Sequence, residues 1–301
     1  QLACVVLTIV ILLVSLEKLS RRKMQFFNMS SKQKAVQKIR LRGLSNILAF
    51  LCCLAPVLLG FALPLIILLE HSTSNPQLFM DKGLIDATFN TVFIGTVAAI
   101  FTVILSICMV FGMKSIKGRV PKVTMPVTTI GYAVPGAVLG VGILIPLAIL
   151  DNALADAIYY LTQIDVGLIF TGTSFAIILA YIVRFFAIGQ GATEAALGRI
   201  SPNLEHAARS LGKNRASILK RIYLPIIKGS LGSAMLLIFV DCVKELPATL
   251  LLRPFNFNTL STRVHEQASL EDLGNAAPAA IYISLVGLCA VVLLARANRL
   301  K

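Results

Sequence analysis

Seven apolar blocks, at 1–16, 44–69, 87–113, 123–150, 168–188, 230–251 and 278–295, dominate the chain. All but the first reach the roughly 18 to 20 residues that a helix needs to cross a bilayer core about 30 Å thick. Helices this apolar have no place in a soluble core, where one face must meet water. Composition agrees: 57% of the 301 residues are hydrophobic and only 14% are charged, against about a quarter charged in soluble domains. The expected fold class is therefore all-α, a polytopic membrane protein of seven helices with the first incomplete. Leu2 to Leu16 gives roughly 22 Å of helix at about 1.5 Å per residue. Gln1 opens directly into that run with no basic stretch ahead of it, so no secretory signal is visible and the chain reads as starting partway through a helix.

The charges between the blocks set an orientation. Segment 17–43 holds nine basic residues against Glu17, and segments 114–122, 189–229 and 296–301 are basic as well. These four alternate with three others, so they share one side, where 23 basic residues face three acidic ones. The opposite side carries Lys82, Arg253 and Arg263 against nine acidic residues, Asp151 among them. The positive-inside rule places the basic segments in the cytoplasm. The net charge of +14 is thus a topology signal shared among short loops, and the expected partner is membrane lipid rather than nucleic acid.

No catalytic constellation accompanies these spans. His71, His206 and His265 are far apart, and no GxSxG, HExxH or nucleotide-binding glycine loop occurs. The six cysteines sit in apolar blocks without a CxxC and read as small buried apolar residues, not as a disulfide or metal framework. An energy-driven function would need ATP hydrolysis on another chain, so no enzyme, cofactor or metal site is expected here.

The polar stretch Ser201 to Pro225, SPNLEHAARSLGKNRASILKRIYLP, stands apart. Ser201 can cap a helix that begins at Pro202, because proline lacks an N–H that a helix start leaves unpaired anyway. Leu204, Ala208 and Leu211 fall on one face. Gly212 can take the left-handed conformation that ends this helix, and Asn214 can cap a second one bearing Ile218, Leu219 and Ile222. Pro225 interrupts the pattern before the next apolar block. The result is a helix–glycine–helix at the membrane surface, shaped to dock on something.

Two further features lie inside the blocks. Block 123–150 contains Pro126, Pro135, Gly136, Gly140, Gly142 and Pro146. Either these allow tight helix packing, or the GYAVPG run at 131–136 is a hinge lining a pathway. Block 230–251 carries Asp241, Lys244 and Glu245 on one face, with Pro247 two residues on. They serve either as a structural ion pair, Asp241 with Lys244, or as lining of a translocation route. Arg184 is expected near the cytoplasmic end of its helix, free to snorkel, and is given no role.

The stretch 205–225 resembles the EAA loop of ATP-binding-cassette importer permeases: Glu205, Ala207, Ala208, Gly212 and a closing Leu224-Pro225. The resemblance implies that this helix pair docks on a cytoplasmic ATPase dimer and passes on its closure. One departure is visible. The family's glutamate six residues before the glycine is His206 here, with Glu205 one place earlier, which either moves its salt bridge to Glu205 or removes it. KELPATLLLRPFNFNTLSTRV at 244–264 and GYAVPGAVLGVGILIP at 131–146 further resemble the ferric-iron permease subfamily. That resemblance implies a type I six-helix permease domain over 44–301 with its coupling loop at 189–229. Residues 1–43 would then be the end of a preceding homologous half plus a basic linker. It also implies residence in the bacterial inner membrane, Fe(III) as transported substrate delivered by a periplasmic or extracellular binding protein, and ATP and Mg held by the ATPase. Thiamine, polyamine, phosphonate or another small solute remain alternative cargoes. An ion-coupled carrier or channel using Asp241 and Glu245 is the alternative from another class.

Overall fold

The computed structural model describes residues 42–73, 76–114, 116 and 118–299, together with Leu12 and Leu16. But for those two leucines, the block at 1–16 and the basic stretch to residue 41 lie outside the described residues, and with them the expectation of a partial first helix. Among the described residues every regular element is helical. Six helices among the described residues are long and apolar enough to cross a membrane.

The chain divides after Ser74 into two units. In the first, α1 (Leu44–Thr73) is a single apolar helix with a π turn at Leu58–Ala62. Pro64 follows two residues later. A proline gives its helix no N–H and crowds the carbonyl four residues back, and a widened turn accommodates both defects.

The second unit begins with a 3-10 turn, Pro76–Met80. It continues through α2 (Lys82–Lys114), α3 (Arg119–Ala133), α4 (Gly136–Thr162), α5 (Ser174–Gly198), α6 (Pro202–Ser210), α7 (Arg215–Val243), α8 (Pro247–Leu252), α9 (Leu260–Ser269) and α10 (Leu273–Arg299). Its core is the meeting of α2, α5 and α7, where Ile94, Ala98, Val103, Ile177, Ala180, Phe185, Ile227, Leu231 and Ile238 are buried together. Small and hydroxylated residues let α2 and α5 approach. Gly189 faces Ser106 and Thr102, and the Ser106 and Thr193 hydroxyls lie 3.3 Å apart. A second cluster of Leu84, Ala87, Leu260 and Ala279 joins α2, α9 and α10, and Arg263 of α9 pairs with Asp81 just ahead of α2.

Several boundaries differ from those read in the sequence. The block at 123–150 is not one helix but α3 and α4, parted at Val134 and Pro135, both extended. Pro135 both lacks an N–H and disfavours helical geometry at residue 134. Gly140 serves packing, since a Cβ there would touch Leu251 and Ala248. The block at 230–251 divides into α7 and α8. Pro247 cannot supply the N–H that the Val243 carbonyl would accept in a continuing helix. Polar residues in contrast do not stop helices here: α5 runs on to Gly198 and α7 starts at Arg215. The non-spanning part of 189–229 thus shrinks to 199–214, and Pro225 interrupts nothing, riding behind a π turn at Leu219–Tyr223. Asp151 is not a solvated loop charge but fully buried. It accepts backbone N–H groups of Ile169, Phe170 and Thr171 and ties down the α4–α5 connection. Of the five described cysteines only Cys242 is buried. The others sit on outward faces of apolar helices, where a small apolar residue needs no burial within the chain.

The close approach of α3 to α5 sets up the site described next. A Cβ on Gly131 would fall inside contact distance of the Val183 carbonyl oxygen, a backbone atom that cannot swing away. Gly131→Ala is therefore expected to cost about 1–3 kcal/mol, read as a lower melting temperature of the detergent-solubilised protein. An unchanged melt would show that α3 does not press on α5 there.

Candidate functional site

Two constellations emerge, one at the C-terminal end of α5 and one at its middle. At its C-terminal end lies α6. Ser201 caps it by accepting the Asn203 N–H, Gly212 adopts φ 73°, and Asn214 accepts the Ser217 N–H to start α7, all as the residue types require. The expected apolar face is divided. Ala208 is buried at 6% exposure, while Leu211, past the last helical turn, is 79% exposed and Leu204 is 42% exposed. The helix thus rests on Ala208 and holds Leu211 outward. Ala207 and His206 are exposed, and the His206 carbonyl accepts the Ser210 hydroxyl. Leu224 and Pro225 are exposed too, directly after the π turn.

Glu205 anchors α6 within the chain. Its Oε2 accepts the hydroxyl of Tyr223, a fully buried residue, at 2.6 Å. Its Oε1 pairs with Arg209 one turn on, and Lys114 Nζ lies 3.7 Å from Oε2, over the Tyr223 ring. The tyrosine hydroxyl, with Arg209 and Lys114, holds the Glu205 carboxyl below its ordinary value. One carboxylate so connects α6 to α2 and to the π turn of α7. The neighbouring His206 side chain shows no such bonds.

The second constellation lies where the two helix breaks meet. α7 ends at Val243, so Asp241, Lys244 and Glu245 do not stay on one face. Lys244 turns back to Asp241 at 2.7 Å, with the lysine side chain 65% exposed. Glu245 points the other way, into α5, and is 6% exposed. Its Oε2 lies 3.0 Å from Nε of Arg184, while Nη1 of the same guanidinium donates to the Val134 carbonyl at 3.0 Å. Arg184 is therefore no snorkelling residue. Because α5 extends to Gly198, Arg184 sits in its middle and links both breaks. Glu245 Oε1 accepts the Ala248 N–H at 3.3 Å, and its backbone carbonyl accepts Ser261 at 2.9 Å and Thr249 at 3.0 Å. Tyr181 lies 2.6 Å from the Thr249 hydroxyl. Gly136 makes the meeting possible. A Cβ there would stand 2.6 Å from Glu245 Oε1, 3.0 Å from Arg184 Nη1 and 3.3 Å from Pro247.

The structure thus brings Pro135, Gly136, Glu245 and Pro247 together and keeps Asp241 with Lys244 as a separate pair. Sequence reasoning missed Arg184, Tyr181, Tyr223 and Lys114. A signal existed for the first: an arginine inside an apolar block needs a counter-charge, and Glu245 was left over once Asp241 took Lys244. Among the described residues no three His, Cys, Asp or Glu side chains gather as a metal site.

Breaks braced within a bundle of spanning helices, with a surface helix tied to the end of α5, define the class: a polytopic helical membrane protein. The fold resembles a crystal structure of a bacterial alginate ABC transporter in complex with an alginate pentasaccharide-bound periplasmic protein. The TM-score is 0.64 at 15% identity, covering 85% of this chain and 93% of that one. The chain belongs to the binding-protein-dependent transport system inner membrane components, whose family model matches residues 109–300. It is 35% identical over 113 residues to the Fe(3+)-transport system permease protein FbpB 2 of Haemophilus influenzae, 38% of this chain and 22% of that one. The chain spans about a quarter of the length of the ferric permeases it matches. A putative 2-aminoethylphosphonate transport permease of Salmonella typhimurium, PhnV, is 25% identical over 210 residues, 69% of this chain and 72% of that one.

The anchor has a pH signature. A lowered carboxyl value means that its stabilisation is complete above the unfolded value of about 4.3 and is lost as pH falls through the lower folded one. Tyr223→Phe removes the largest cause and raises the Glu205 value. Acid release of α6, read as proteolysis within 199–214, is expected to begin at higher pH in the variant than in wild type. The same onset in both would refute the anchor.

Proposed function

We propose that this chain is the membrane-spanning component of an importer driven by ATP hydrolysed on a separate cytoplasmic ATPase dimer. Its proposed cargo is ferric iron, handed over by a periplasmic or extracellular binding protein. A second, homologous permease half, in the same or another polypeptide, supplies the facing wall of the pathway, with residues 44–301 as the permease domain of this half. The observation that carries the reading is α6: a surface helix fixed to the transmembrane body by Glu205, with Leu211 held outward at its tip. A helix anchored on one side, with an exposed leucine at its tip, is a contact through which a soluble motor can move membrane spans. A proton-coupled carrier or channel has no use for it. The positive-inside charge pattern supports a cytoplasmic place for this helix and the C-terminus.

In this mechanism the closing ATPase dimer draws the 203–224 elements together. The spans around 131–146 and 230–251 then rotate and open the route to the opposite side. Glu205, His206, Ala207, Ala208, Gly212, Leu224 and Pro225 form the docking side. Pro135, Gly136, Asp241, Lys244, Glu245 and Pro247 line or hinge the route. ATP and Mg bind the motor, and this chain contributes no catalytic group.

The ferric relatives support iron, since the match to them is the more identical one. The phosphonate permease supports the second reading, since the chain matches more of its length. The ligand carried by the cognate binding protein separates the two. In cells carrying the intact system, Glu205→Arg with Gly212→Ala is expected to abolish iron uptake while the protein stays in the membrane. Undiminished uptake in that variant counts against the docking role.

A further inference from the structure

We propose that Arg184 is the positioning residue that couples α6 to both helix breaks, and that it does so by giving up one of its two partners as α5 moves. This rests on the ATP-driven reading above and adds to it the element that carries the motion.

The path is short. α5 is unbroken from Ser174 to Gly198, and α6 begins at Pro202. A displacement of α6 reaches α5 across the short 199–201 connection and then runs to Arg184 along a helix with no break. There the guanidinium touches two segments from different parts of the chain, the Val134 carbonyl ahead of α4 and the Glu245 carboxylate ahead of α8. The Glu245 segment has further partners of its own. Glu245 is bound to Ser261, Thr249 and Ala248, none of which belongs to the 131–136 run. When α5 shifts by a fraction of a turn, the guanidinium can follow one break and must leave the other.

The ion pair rests on a single contact. Its Nε lies at ion-pair distance but makes no aligned hydrogen bond, and Oε1 is engaged by the Ala248 N–H. A bidentate fork adds both energy and fixed orientation to such a pair, and this one lacks that geometry. Gly136 packs against both charged groups, so the breaks have no slack with which to absorb the movement gradually. Unpaired polar groups within the spans are costly. The joint consequently has two arrangements rather than a continuous range.

The test uses the assembled transporter in proteoliposomes: this chain with its partner half, the ATPase and the iron-loaded binding protein. ATP hydrolysis and iron uptake are measured together. Replacing one partner of a buried ion pair strands the other, whereas replacing both with groups of similar shape is close to neutral for folding. The neutral pair Arg184→Met with Glu245→Gln is therefore expected to assemble at wild-type level and hydrolyse ATP. Its iron uptake per ATP should fall about tenfold. Arg184→Lys keeps the charge beside Glu245, but an ammonium cannot also reach Val134, so its uptake per ATP is expected to fall several-fold. This variant serves if the neutral pair does not fold. A wild-type ratio in either variant makes Arg184 a structural strut and overturns the proposal. Iron uptake by the wild-type assembly without ATP would instead sink the ATP-driven reading itself.

Discussion

Charge cancellation inside apolar spans is the constraint on which this structure turns. Four ionisable side chains, Arg184, Asp241, Lys244 and Glu245, belong to neither flank of the membrane. An uncompensated charge there costs several kcal/mol, and the chain meets that cost with two pairs. The pairs are not equivalent. Asp241 and Lys244 are local, one turn apart on the end of α7. Arg184 and Glu245 are 61 positions apart in sequence and tie the middle of α5 to the gap between α7 and α8. Remove the guanidinium and two segments, at Val134 and at Glu245, lose their common partner.

Backbone satisfaction is the second half of the same problem. A helix that stops within the membrane frees carbonyls that lipid cannot receive, so irregular backbone survives only where protein surrounds it. The Val134 carbonyl is met by Arg184, and the Glu245 carbonyl by Ser261 and Thr249. Prolines alone do not create such breaks. Pro64 and Pro225 each follow a π turn that keeps the helix running, whereas Pro135 and Pro247 sit where polar side chains from other helices are at hand.

The anchoring of α6 follows similar rules in a wetter setting. Its glutamate lies one place from the position usual in the permeases it resembles, yet Glu205 finds Tyr223, Arg209 and Lys114. The π turn that admits Pro225 also ends on Tyr223, so the device that keeps α7 continuous sits beside the one that fixes α6.

Much of this was legible in the sequence. Long apolar blocks leave a chain only the choice of spanning a membrane, and Ser201, Pro202, Gly212 and Asn214 mark helix ends through local chemistry that no tertiary context reverses. The Asp241–Lys244 pair needed only helical spacing. Where α5 and α7 end was not legible, because Gln190, Thr193 and Glu194 resemble loop residues until α2 and α3 are packed beside them. The division of the face that held Asp241, Lys244 and Glu245 was hidden too, since spacing assumes a helix that Pro247 cuts short. Above all, the partner of Arg184 was settled only by the tertiary structure. Sequence reports the presence of a buried charge, but its counter-charge is chosen by which distant segments a packed bundle brings within about 3 Å.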